Sequence, residues 1–236
     1  MQATPPHIIL TCEHGGNTVP AELADCFQRG EAQQHLHSHR GYDPGALLAA
    51  QRLADLLAAP LEYSTTSRLV VELNRSLDSP QLFSKFLGPL DSVTRSRICD
   101  RYYHSYRNRV QERIAQQVNA GQTVLHLSIH SFTPRFRGSR RTLDIGVLFD
   151  PARSWEVTVS EQIVAHLKTA ELDARYNEPY LGTDDGFTTF LRTRFPNSHY
   201  AGLEIELNNR FAKFSEQSQM RWCEAIAQAV TRACLQ

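Results

Sequence analysis

The chain has 236 residues, 41% of them hydrophobic, and its 25 basic and 25 acidic side chains cancel to a formal charge of zero. That length and apolar content support one sizeable core in one α/β domain over residues 1–236, and the balanced charge supplies no field for nucleic acid or an anionic membrane. No signal-peptide core follows the start and no apolar run approaches the roughly 20 residues that span a bilayer. Five cysteines, Cys12, Cys26, Cys99, Cys223 and Cys234, form an odd set without paired ligand spacing, which fits structural thiols in a reducing compartment. A soluble cytoplasmic protein is the expectation.

The first strand is expected at 7–12, where Ile8-Ile9-Leu10-Thr11-Cys12 runs into Glu13-His14-Gly15-Gly16. Two glycines let the backbone turn sharply and leave the His14 imidazole projecting over the sheet edge; a turn or capping histidine is the plainer alternative. A loop at 15–40 follows. Asp43-Pro44-Gly45 then leads into alanines and leucines at helical spacing from Ala46 to Ala59. Asp43 is a natural N-cap and Pro44 suits a first turn, so the helix is expected to start at Asp43. A carboxylate there can also serve as a ligand. A second strand is expected at 69–73, ending at Asn74-Arg75. A guanidinium beside an amide can hold a carboxylate in a bidentate way, although a surface ion pair is the common role of a lone arginine. Helical spacing covers 91–119, with arginines at 95, 97, 101, 107, 109 and 113 and tyrosines at 102, 103 and 106. They surround the helix instead of forming a stripe, which argues against RNA binding.

The strand expected at 123–129 closes on His130. His126 and His130 are four apart and share a face. His130, at the carboxyl end where loops begin, is the ligand candidate, and His126 is left as a buried or supporting residue. The loop at 132–142 contains the basic run Arg135-Phe136-Arg137-Gly138-Ser139-Arg140-Arg141, read as a lid over the site or as a solvated loop. A strand at 143–149 and a helix at 154–170 come next. The loop at 177–186 offers Asn177 and Tyr180 as hydrogen-bonding groups for substrate or a reaction oxyanion; packing is the alternative for Tyr180. In the strand at 199–207, Glu204 and Glu206 are two apart and lie on one face. Burying such a pair is costly unless one member is protonated, paired or near a cation. A divalent metal relieves that cost and gives one glutamate the work of a general base toward activated water; a solvated edge strand is the competing reading. A helix at 215–235 ends the chain.

This alternation argues for a three-layer α/β fold, a mixed and mostly parallel sheet with helices on both faces. Ligands in such sheets bind beyond the carboxyl ends of the strands, where the histidines and carboxylates fall. The GxSxG, GxxxxGK[ST] and GxGxxG patterns do not occur, which disfavours serine hydrolases of that class, P-loop enzymes and dinucleotide oxidoreductases.

The run Ser128-Ile129-His130-Ser131-Phe132 resembles the strand that carries the third zinc ligand of zinc carboxypeptidases, and Glu206-Leu207 resembles the strand of their catalytic glutamate. Over nearly the whole chain, a longer ordered set resembles the N-formylglutamate amidohydrolase family. It comprises Glu13-His14-Gly15-Gly16-Asn17 with Pro20, Asp43-Pro44-Gly45-Ala46, Ser67-Arg68 through Leu73-Asn74-Arg75, His130-Ser131-Phe132-Thr133-Pro134, Asp144-Ile145-Gly146-Val147-Leu148, Asn177-Glu178-Pro179-Tyr180 and Glu204-Ile205-Glu206. The resemblance implies the phosphorylase/hydrolase-like fold shared with zinc carboxypeptidases, and an activity that removes the formyl group of N-formylglutamate.

It further implies one divalent metal, zinc, held by His14, His130 and an acidic third ligand. Asp43 is preferred for that place and Glu13 is the substitute; carboxypeptidases put a glutamate three residues after the first histidine, where this chain has Asn17. Glu206 fits the catalytic base better than Glu204 because Leu207-Asn208-Asn209 parallels the tail after that glutamate, and Glu204 is left to orient a ligand. Arg68, Asn74 and Arg75 are implied to line the pocket, and Arg141 fits a further family position. The expectation is a metal-dependent amidohydrolase acting on a small acidic N-acyl amino acid. A non-catalytic binding protein on the same fold, kept open by Asn17, and a carboxypeptidase-like peptide hydrolase are the alternatives.

Overall fold

The computed structural model describes residues 4–235. In chain order it forms β1 (His7–Cys12), α1 (Gly30–Leu36), α2 (Ala46–Leu57), β2 (Leu61–Tyr63), α3 (Ser92–Ile98), α4 (Ser105–Asn119), β3 (Val124–Phe132), a short hairpin of β4 (Arg135–Phe136) and β5 (Ser139–Arg140), β6 (Ile145–Leu148), α5 (Ser154–Thr169), β7 (Ala174–Tyr176), α6 (Phe187–Arg194), β8 (Tyr200–Asn208) and α7 (Glu216–Ala233). Apart from the hairpin, the strands make one six-stranded sheet in the order β2-β1-β3-β8-β6-β7. Every neighbouring pair is parallel except β6 against β8.

Helices cover both faces, as the alternating sequence pattern implied. On one face α2, α5 and α7 bury Ala49, Leu53, Ile163, Val164, Ile226 and Val230 against Leu127, Leu203 and Ile205. On the other, α4 and α6 bury Tyr106, Val110, Ile114, Phe187 and Leu191 with Ile9 and Tyr200. Each fully buried aliphatic side chain contributes about 1.5–3 kcal/mol from the area it removes from water. All nine residues of β3 are buried, so the central strand is fixed from both sides and its carboxyl end is a rigid platform. In the register of β3 and β8, His130 stands directly opposite Glu206 and Ser128 opposite Glu204.

Several sequence expectations change in the folded chain. The strand expected at 69–73 is instead a turn, with Val70, Val71 and Leu73 buried in the α4-side core. Ser67 accepts a hydrogen bond from the Leu69 amide on its hydroxyl, which turns the chain away from any ladder. A short stretch with four apolar residues of five satisfies a buried turn as well as a strand. The first long helix begins at Ala46, not Asp43. Gly45 occupies the N-cap position at φ 86°, where a side chain would be strained and would also crowd Phe211 and Ala212. The helix at 91–119 is broken by a π-helical turn over Cys99–His104. The short β2 and β7 and the helices α1 and α6, the latter two inside or beside loop-like stretches, lacked a periodic signal long enough to stand out.

Candidate functional site

The carboxyl ends of β1, β3 and β8 converge on a cavity of about 460 Å³, lined among others by Asp43, Arg68, Glu72, His130, Glu204 and Glu206. His14 follows β1 directly and is fully buried. The chain turns at Glu13 and His14 and bends at Gly15, as expected, and the adjoining glycines have a further role. A Cβ on Gly15 would stand 2.9 Å from the Ser64 carbonyl oxygen, and one on Gly16 would stand 2.8 Å from that of Thr65. Glycine here permits close approach of the segment after β2, and that contact seats His14.

Three donor atoms form a compact triangle. Nδ1 of His14 lies 3.3 Å from Oδ2 of Asp43 and 3.2 Å from Nδ1 of His130, and His130 Nδ1 lies 3.0 Å from the same Asp43 oxygen. Tetrahedral ligands at zinc distances of about 2.0–2.2 Å are separated by about 3.3–3.6 Å, so the triangle needs only a few tenths of an ångström of adjustment. These are the described residues whose His, Cys, Asp or Glu side chains could together hold an ion. Asp43 also accepts the Ser131 backbone amide at 3.2 Å, so its carboxylate is aimed at the site and not at the helix start, where it was expected as a cap.

Each histidine is backed by its own carboxylate. Behind His130, Glu13 lies 3.2 Å from Nε2 and accepts hydrogen bonds from Ser128 Oγ at 2.6 Å and the Tyr106 hydroxyl at 2.9 Å. Behind His14, Glu72 contacts Nε2 and accepts from Arg68 Nε at 2.9 Å and the Asn74 amide at 3.0 Å. Burial opposes ionisation of Glu13, yet the bonds from His130 and Ser128 hold it well below the usual carboxylate range. Glu72 behaves likewise, with Arg68 and His14 overcoming its burial. Glu13 therefore sits behind His130 and is not a corner of the triangle. Glu72 was missed by sequence reasoning because the expected strand at 69–73 concealed it.

The charge inventory fits a cation. Glu13, Asp43 and Glu72 are all buried, and Arg68 is the guanidinium that two of them share, pairing with Asp43 at 3.2 Å and Glu72 at 2.9 Å. Buried carboxylates require paired positive charge, and the triangle of His14, Asp43 and His130 is where a divalent ion would supply it. Arg68 also reaches His14, with Nη2 2.7 and 3.0 Å from its two ring nitrogens.

Glu206 lines the cavity beside this triangle, 5% exposed, and its Oε2 has no hydrogen-bond partner. Burial pushes its carboxyl up to about 8; His130 and Arg68 oppose that rise, and Asp43 and Glu204 add to it. Glu204 lines the same cavity and accepts from Thr188 Oγ1 at 2.7 Å. Arg75 lines it as well, and Nη1 donates to the carbonyls of Asn74 and Asp185 at 2.7 and 2.8 Å. No carboxylate pairs with Arg75 among the described residues. Asn74 borders the cavity too, its Oδ1 receiving the Phe187 amide at 2.6 Å.

Other expected site residues lie farther out. Tyr180 is on the cavity wall. Arg141 donates to its hydroxyl at 3.3 Å and stacks 4.5 Å from the centre of the Phe136 ring, outside the lining. Asn177 is not brought to the cavity, because its Oδ1 receives the amides of Phe149 and Gly182, both at 3.0 Å. Asn17 donates to the Leu36 carbonyl at 3.1 Å and is away from the triangle. His126 is buried between Thr11 and the Tyr200 hydroxyl, each at 2.8 Å.

Among solved structures, the fold is similar to that of gene product Atu2144 from Agrobacterium tumefaciens, at 29% identity and a TM-score of 0.83 over 97% of this chain and 90% of that one. It is also similar to an N-formylglutamate amidohydrolase from Ralstonia eutropha JMP134, at 16% identity and a TM-score of 0.71 over 98% and 94%. No curated protein matches the chain. The model of one family matches residues 7–212, from β1 through β8 and all three corners of the triangle, and the chain belongs to that family, N-formylglutamate amidohydrolase.

Proposed function

We propose that this protein is a metal-dependent amidohydrolase that cleaves the amide of a small N-acyl amino acid of the N-formylglutamate type. The observation that carries the reading is the convergence of His14, Asp43 and His130 within 3.0–3.3 Å, beside a buried and unpartnered Glu206 oxygen. A divalent ion, zinc by its ligand set, would supply Lewis-acid polarisation of the scissile carbonyl and acidify water toward a pKa of about 7.

The chain's own groups supply the rest. Glu206 is the proton carrier, taking a proton from the attacking water and delivering it to the leaving amine nitrogen. Burial raises this carboxyl to about 8 in the metal-free site, and an adjacent divalent ion would draw it back down toward working pH, where both directions of transfer are accessible. Arg75, without a carboxylate partner among the described residues, is the fork for the substrate carboxylate. Arg68 is occupied by Glu72 and Asp43, so its part is to hold the ligand carboxylates and present positive charge to the carbonyl oxygen. Glu204 and Asn74 shape the wall beside the base, and Tyr180 with Arg141 borders the entrance. Asn177 belongs to the loop framework in this reading. The non-catalytic alternative rested on Asn17, and Asp43 supplies the carboxylate that Asn17 lacks.

The test is hydrolysis of N-formyl-L-glutamate by zinc-loaded protein, read as released formate, with N-acetyl-glutamate and a free-C-terminus dipeptide in parallel. Formate release that disappears in Glu206→Gln while bound zinc persists supports the reading. Zinc-loaded protein that turns over none of the three amides overturns it.

A further inference from the structure

Away from the triangle, a second cavity of about 470 Å³ opens between α4, α6 and the Ser76-Leu77 turn. Its wall includes Tyr103, His104, Arg107, Asn108, Phe190 and Arg194, and no carboxylate lines it. Arg107 is only 5% exposed. Its Nη1 donates to the carbonyls of Leu73 at 3.0 Å and Arg75 at 3.1 Å, and its other donors have no partner among the described residues. No Asp or Glu forms an ion pair with it there either. Three rings surround the guanidinium instead, Phe187 at 4.3 Å and Tyr103 and Phe190 each at 4.7 Å.

Glu13 and Asp185 act on Arg107 only from beyond ion-pair distance; a buried cation without a directly paired carboxylate is costly, and ring faces offset only part of the loss. Burial accordingly pushes the Arg107 guanidinium pKa down. Pinning two loop carbonyls accounts for Nη1 but not for the unused donors beside a cavity. The π-helical turn Cys99–His104 is a separate sign, since such turns insert a residue into a helix and concentrate at functional sites. Here it sets Tyr103 and His104 into the same wall.

We propose that this cavity binds a small carboxylate with a planar apolar body. The carboxylate takes Arg107 and Arg194 as its charge partners, in the fork geometry that guanidinium offers. The planar body lies against Tyr103 and Phe190, and the Asn108 amide meets a polar substituent. The volume suits such a ligand, since small-molecule pockets run from about 300 Å³ upward. The site also touches the first cavity. The carbonyl of Arg75 is held by the Tyr103 hydroxyl at 2.7 Å and by Arg107, so an occupant that draws on Arg107 alters the seating of Arg75. That coupling rests on the proposed function; the binding itself does not.

Titration calorimetry of the full chain with sodium benzoate tests the site, with inorganic phosphate and benzyl alcohol as probes lacking the ring and the charge. We expect saturable benzoate binding with a Kd of order 1 mM, at least about tenfold tighter than either control. Arg194→Ala and the cavity-filling Leu77→Trp, both at exposed positions, weaken it about tenfold or more, and Arg75→Ala leaves it within about threefold. These variants avoid the folding risk of altering buried Arg107. Absence of saturable binding overturns the proposal, as does an affinity unchanged in Arg194→Ala and Leu77→Trp. Loss of binding in Arg75→Ala alone also overturns it by placing benzoate in the first cavity.

Discussion

Glu13 lies 3.2 Å from Nε2 of His130, on the opposite side of the imidazole from Asp43, which is 3.0 Å from Nδ1. One carboxylate thus fixes the ring's orientation while the other shares the proposed ion. Carboxylates behind ligand histidines set the tautomer and raise ligand basicity, and losing one typically costs about 10–100-fold in metal affinity. Glu13→Gln should weaken zinc binding by that factor in a chelator competition, with the circular dichroism spectrum unchanged. Unaltered zinc affinity in the folded variant would show that Glu13 serves only packing.

For Glu206, the expected loss is in turnover and not in metal. Removing a positioned general base lowers rates by about 10²–10⁴-fold. Steady-state kinetics of Glu206→Gln should show that fall in kcat, with elemental analysis still giving bound metal. A variant that keeps its kcat removes Glu206 from proton transfer.

Arg75 should act on KM. A charge-assisted hydrogen bond is worth about 1.5–3 kcal/mol, which corresponds to roughly 10–150-fold. Arg75→Ala should raise KM for a carboxylate substrate within that range, and Arg75→Lys should recover only part of it, because an ammonium cannot form the planar fork. Equal kcat/KM for wild type and Arg75→Ala would place the carboxylate elsewhere.

The buried His126 gives a pH signature in stability. Burial lowers its pKa from 6.5 to about 4, against the pull of Glu13. The unfolded chain therefore takes up a proton that the folded chain refuses between those values. Stability from this group is fully present above pH 6.5 and is lost as pH falls toward 4. The loss is about 3 kcal/mol at 1.36 kcal/mol per pKa unit. In urea titrations, wild type and His126→Gln should converge as pH drops from 7 to 4; parallel curves would refute the assignment.

Glu156 is a structural counterpart to the site. It is fully buried, pairs with Arg153 and Arg192 at 3.0 Å each, and accepts the amides of Asp150 and Gly202. Glu156→Ala leaves the Arg192 charge buried and unmatched, at a cost of about 3–5 kcal/mol. For a chain of this length that corresponds to a Tm lowered by roughly 6–20 °C. A thermal scan that moves by less than a degree or two would show that the arginines find other partners.

The sequence alone determined that His14 follows the first strand and that Glu204 and Glu206 share a face, whereas His130, expected just past its strand, lies inside β3, which runs on to Phe132. It could do so because a two-residue period and a strand terminus are local properties of the chain. It also determined the layered α/β class, since alternating apolar runs and amphipathic helices must bury their faces against one another. The folded structure decided where each carboxylate sits. Asp43 is 29 residues from His14 and Glu72 is 58 residues away, and neither distance in sequence carries orientation. Pairing β1 with β3 and β3 with β8 brought the two histidines and Glu206 to one edge. Gly45 took the helix cap from Asp43, and the turn at Ser67 converted an apparent strand into the segment that delivers Glu72. These outcomes depend on long-range packing, where an apolar run can be buried by a turn as readily as by a ladder.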